Sequence, residues 1–148
     1  MNLGECFLEL ANMEEEAANL YKEFSEICSE NLKDVIIKLS DEEKKHIGIV
    51  YKVSENIKFK EKELGELVNK VFKQQVDYMN VKDKSEILTK EKNFFIFALQ
   101  MEKNSIEIYT ELLKLFKQDS QECKNFEMLL NEEKNHMIYV LNQLHELK

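Results

Sequence analysis

Asp41-Glu-Glu-Lys-Lys-His46 returns ninety residues later as Asn131-Glu-Glu-Lys-Asn-His136. Each copy sets a carboxylate three residues before an imidazole: Glu43 with His46, and Glu133 with His136. On a helix, residues at i and i+3 share a face one turn apart, so the two side chains can reach one ion. Glutamate is abundant in this chain, and a single Glu-x-x-His carries little information. Its recurrence inside a longer repeat carries much more.

The flanking residues supply that repeat. Around the first copy, Leu32, Ile36, Leu39, Glu43, His46, Val50, Val53 and Ile57 follow the alternating four-three step of a bundle-forming helix. Lys44 and Lys45 fall off this seam, on the solvent side. Upstream, Leu3, Phe7, Leu10, Glu14, Ala17, Tyr21, Phe24 and Cys28 form a second seam, in which Glu14 is the residue out of place in a core. Ser29-Glu-Asn-Leu separates the two as a short turn with residues able to cap the next helix.

The same pair of seams recurs downstream. Phe95, Ala98, Glu102, Ser105, Tyr109, Leu112 and Phe116 match the first at an offset of 88 residues. Phe126, Leu129, Glu133, His136, Val140 and Leu147 match the second at an offset of 90. Gln118-Asp-Ser is the second turn. The chain is an internally duplicated helical hairpin, with hairpin one over about residues 3–57 and hairpin two over about 86–147. Residues 58–85 form a crossover with a short extra helix from Glu63 to about Tyr78, ending at Val81-Lys-Asp-Lys-Ser, where Asp83 or Ser85 caps the next helix. The whole of residues 1–148 reads as one domain.

Composition agrees with an all-α fold. The 148 residues include no proline, only three glycines and 34% charged residues. A net charge of −8 argues against phosphate-backbone binding, hence no nucleic-acid partner. No apolar run nears the roughly 18 residues that span a bilayer, and no signal peptide is visible, so a cytoplasmic, membrane-free protein is expected. Cys6, Cys28 and Cys123 are widely spaced without a Cys-x-x-Cys pair, and read as reduced thiols in or beside the core.

Helices joined by a tight turn run antiparallel, so residues equally far from the turn lie level. The midpoint between Glu14 and the Glu43/His46 pair falls near position 29, and that between Glu102 and the Glu133/His136 pair near 118. Both are the turns. A helix of about 27 residues is roughly 40 Å long, and the crossover has the length to return along it. Packed face to face, the hairpins would gather four glutamates and two histidines. Bare carboxylates in a core cost several kcal/mol per ion in effective terms, which cations would offset. Carboxylates with one imidazole each and no thiolate suit iron or manganese better than structural zinc or copper. Tyr21 and Tyr109, two turns beyond Glu14 and Glu102, are placed to donate a hydroxyl to a ligating carboxylate. His145, off the seam, is expected on the surface.

This pattern resembles the ferritin-like di-iron carboxylate superfamily, and most of all single-domain rubrerythrin-type proteins: one Glu from each of two helices and Glu-x-x-His from each of the other two. Here these are Glu14, Glu43-x-x-His46, Glu102 and Glu133-x-x-His136, with Glu14 to Tyr21 and Glu102 to Tyr109 also resembling the family. The resemblance implies a ferritin-like four-helix bundle, often a homodimer, holding two iron ions, with manganese or a mixed pair as alternatives. It implies a di-iron oxidoreductase reducing peroxide or oxygen in oxidative-stress defence. The alternatives are a ferroxidase or iron-handling protein, or a helical interaction module with a relic site. The rubredoxin-like domain typical of rubrerythrins is absent from the sequence, so electrons would come from a separate rubredoxin-like donor. Ser105 stands where a further carboxylate is common, leaving a smaller ligand set.

Overall fold

The computed structural model describes residues 1–81 and 84–147. Its contacts divide into two compact units, Met1–Gly65 and Glu66–Lys148.

The first unit is a helical hairpin, α1 (Leu3–Ser25) and α2 (Glu30–Asn56). Leu3, Phe7, Leu10, Tyr21 and Phe24 of α1 and Leu32, Ile36, Leu39, Val50 and Val53 of α2 are buried, while Lys44 and Lys45 are exposed. Full burial of each large apolar side chain contributes about 1.5–3 kcal/mol. After Phe24 the helix closes through backbone bonds from Ile27 and Cys28 to the Phe24 carbonyl, and Ser29 is the N-cap residue of α2 without a capping bond from its side chain.

The start of α1 is capped in two ways. Asn2 and Glu5 form a reciprocal capping box. The chain after α2 then folds back, and the Leu3 and Gly4 amides donate to the carbonyls of Lys62 (2.8 Å) and Lys60 (2.9 Å). The Leu64 amide returns a bond to the Met1 carbonyl, and Asn2 and Glu63 form an antiparallel bridge. The donors that a helix start ordinarily leaves to water are thus met by protein. This corrects the expectation of a helix from Glu63. Residues 60–64 are committed to capping α1, and the helix begins only at Glu66.

The second unit contains α3 (Glu66–Val81), α4 (Lys84–Thr89), α5 (Glu91–Leu113) and α6 (Gln121–Glu146). Shifted by 88 residues, α1 overlays α5 end to end, and α5 and α6 form the second hairpin. Ser120 caps α6 by accepting from the Cys123 amide at 3.2 Å. On α3, Val68, Val71, Phe72 and Gln75 are buried in an i, i+3, i+4, i+7 stripe, and α3 packs on α5. Tyr78 stacks on Phe97, ring centroids 4.7 Å apart.

Three expectations change in this unit. The crossover carries two helices, because the long segment expected from Glu86 is interrupted at Lys90, whose backbone is extended. Ser85 lies inside α4 instead of capping a helix, and Asp83 lies outside the described residues. Leu147, expected on the α6 seam, is 40% exposed at the helix end, two turns past Val140, the last buried position. His145 is exposed, as expected.

Gly48 sits on the exposed side of α2 with helical backbone, and a Cβ there would meet nothing within 4 Å. Glycine in a helix interior costs about 0.5–1 kcal/mol relative to alanine. Gly48→Ala is expected to raise unfolding stability by about that amount, read from the urea midpoint of metal-free protein at unchanged slope.

Candidate metal centre

Each hairpin builds one cluster. In the first, α1 supplies Glu14 and α2 supplies Glu43 and His46, one turn apart. His46 Nδ1 lies 3.4 Å from Glu14 Oε2 and 3.6 Å from Glu43 Oε2. In the second, α5 supplies Glu102 and α6 supplies Glu133 and His136, with His136 Nδ1 3.6 Å from Glu102 Oε1. Within each triad the candidate ligand atoms all lie within 4.8 Å of one another. None of the six residues is more than 2% exposed. The level placement inferred from the distance to each turn therefore brings every lone glutamate to its Glu-x-x-His pair within its own hairpin.

Burial decides the electrostatics. The Glu14 carboxyl is pushed well above the ordinary carboxylate range, chiefly by desolvation and next by the neighbouring Glu43 charge and hydrogen bond, with His46 opposing. Without a cation, a proton does the neutralising. Two buried carboxylates and an imidazole within ligand reach form an oxygen-rich donor set with one nitrogen, which fits iron or manganese and lacks the thiolates of a structural zinc site. The residues therefore fit the metals that the sequence pattern implies.

Tyr21 and Tyr109 are fully buried two turns beyond Glu14 and Glu102, and the Tyr109 ring lies against Phe126 at 5.7 Å. Ser105 is buried one turn after Glu102 and adds no carboxylate. The Cys6 thiol is pushed up to about 12 by burial and by Glu9, and burial and Glu127 push Cys123 up too. Both stay protonated, as packed core thiols do.

Sequence reading missed two buried polar contacts near these clusters. The Ser40 hydroxyl on α2 donates to the Ala18 carbonyl on α1 at 2.7 Å. Asn104 on α5 donates to Gln75 on α3 and accepts from Gln100 at 2.9 Å. Ser40 stands three residues before Glu43, on its face, so the signal was a hydroxyl one turn from a ligand. Asn104 gave no comparable signal, since its partner lies on the crossover.

A family model described as rubrerythrin matches residues 7–144. The chain belongs to the rubrerythrin family. Among solved structures, this rubrerythrin-family chain is similar to a putative ferritin-like diiron-carboxylate protein from Thermotoga maritima. The two are 25% identical with a TM-score of 0.81, over 100% of this chain and 97% of that one. No curated protein matches. The fold of this rubrerythrin relative is all-α and ferritin-like, two helical hairpins joined by a long crossover. Among the described residues, no helix is long and apolar enough to cross a membrane.

The raised Glu14 carboxyl has a pH consequence. Its proton is held more tightly folded than unfolded, so its contribution to stability is full below about 4.5, the ordinary value, and is lost as pH rises toward the native value. Metal-free Glu14→Gln, which keeps the neutral shape, is expected to lose less stability than wild type over that rise, measured by thermal melts across pH.

Proposed function

We propose that this protein is a non-haem di-iron oxidoreductase reducing peroxide or oxygen in the cytoplasm, with Glu14, Glu43, His46, Glu102, Glu133 and His136 as its metal ligands. The observation that carries this reading is the pair of buried Glu–Glu–His triads, repeated in both hairpins of a rubrerythrin-family chain. A single triad would suit one structural ion. Two of them, with six ligands for two ions, leave coordination positions open to a small oxidant.

Bound iron would supply the electrons and the Lewis acidity, cycling between ferrous and ferric. The chain's own residues do the rest. Glu14, Glu43, Glu102 and Glu133 would hold the ions and balance their charge. His46 and His136 would each fix one ion from the Glu-x-x-His turn. The phenols of Tyr21 and Tyr109 would steady ligating carboxylates by donating to them. Phe7, Leu10, Phe95 and Phe126, buried on the same seams, would help keep bulk water from the triads. Reducing one peroxide to two waters consumes two electrons and two protons. The electrons would come from a separate rubredoxin-like donor, and the protein would work as a homodimer.

Protein grown in iron-replete medium is expected to hold close to two irons per chain by elemental analysis, manganese being the metal this measurement would otherwise reveal. His46→Ala and Glu133→Ala should each weaken metal retention by at least ~10-fold. Reduced wild-type protein should oxidise faster with peroxide than with oxygen in stopped-flow absorbance. Oxidation by oxygen with no faster reaction with peroxide would overturn the peroxidase reading in favour of a ferroxidase.

A further inference from the structure

Ser40 is a buried hydroxyl in the middle of α2, 2% exposed. A serine or threonine inside a helix commonly bonds back to a carbonyl of its own preceding turn. Thr110 does so, donating to Ile106 at 2.6 Å, and Ser25 donates to Lys22. Ser40 instead reaches across the hairpin, donating to the Ala18 carbonyl of α1 at 2.7 Å. Ala18 is itself buried. A helical carbonyl has a second lone pair, so it can accept this bond while keeping its intrahelical partner.

The position matters more than the bond. Ser40 lies one turn before Glu43, and Ala18 one turn after Glu14, so the tie sits one turn from the triad on both helices. Sliding α1 along α2 would break it and would separate Glu14 from Glu43 and His46 by the same shift. The duplicated hairpin offers a comparison within the same molecule. At the offsets of 88 and 90, Ala18 corresponds to Ile106 and Ser40 to Leu130. Leu130 is buried and carries no donor. At this height the second hairpin offers apolar side chains, whose packing is non-directional, whereas the first has a directional bond.

We propose that Ser40 is a positioning residue for the first triad: it fixes the relative height of Glu14 and the Glu43/His46 pair and so sets the affinity of the metal position that Glu14 and His46 serve more strongly than that of the other. The inference rests on the two-metal reading given above. It assigns a task to a residue that is not a ligand, and it makes the two positions of a duplicated site unequal.

Anaerobic titration of metal-free protein with Co(II), followed by visible absorption and by calorimetry, tests it. Wild type is expected to take up two equivalents. Ser40→Ala should bind one of them about tenfold more weakly and the other within about twofold of wild type. Ile36→Val, a buried change one turn nearer the hairpin turn, serves as the control for general loosening and should leave both equivalents unchanged. Equal weakening of both equivalents in Ser40→Ala, wild-type binding in Ser40→Ala, or the same split in Ile36→Val would each overturn the positioning role while leaving the metal reading intact. Wild type that binds no cobalt would overturn the metal reading and this inference with it.

Discussion

Placing two carboxylates beside an imidazole in the interior of a helical hairpin is the constraint on which the rest of this chain depends. The effective cost of an uncompensated buried charge is several kcal/mol, comparable to a large share of the 5–15 kcal/mol that stabilises an ordinary domain. The raised Glu14 carboxyl is that cost expressed as proton binding. A hairpin that carries such a triad needs a surplus of apolar packing above and below it. The seams provide it, with Phe7 and Leu10 before Glu14 and Tyr21 and Phe24 after it, all buried. It also needs the two helices in one register, since a shift by a single residue moves a side chain around and along the helix.

Register is therefore where sequence and structure meet most closely. The seams gave most of the buried positions of both hairpins, Leu147 excepted, because a four-three alternation of large apolar residues has one sensible way to pack. The duplication did more than either seam alone. It identified Glu14 and Glu102 as equivalent exceptions to an apolar rule, and the midpoints it defined agreed with turns read from seam breaks and turn composition. The structure brings Glu14, Glu43 and His46 together in one hairpin and Glu102, Glu133 and His136 in the other.

What the sequence hid was set by contacts between residues far apart in the chain. Residues 60–64 look like the charged lead-in to a helix, and only the open start of α1 turns them into a cap. The break at Lys90 has no proline or glycine to announce it, and Lys90 itself has good helical propensity. Propensity is a weak prior, and tertiary context overrides it here. Ser40 sits next to Leu39, a seam residue, and reads as ordinary helix filler until its acceptor on α1 is known.

The return of residues 60–64 onto the start of α1 also changes how the first hairpin can come apart. Helices normally fray from their ends, where backbone groups face water and little holds them. In hairpin one, one end is the tight turn after Phe24 and the other is fastened by the Leu3, Gly4 and Leu64 backbone bonds. The two helices of the hairpin thus form a closed loop with no loose end from which peeling can start. Partial opening must begin by releasing that clasp, or else part the helices along their length at once. A buried ion-binding triad halfway between two closed ends is shielded from the small, frequent openings that would let a ligand side chain swing out into water.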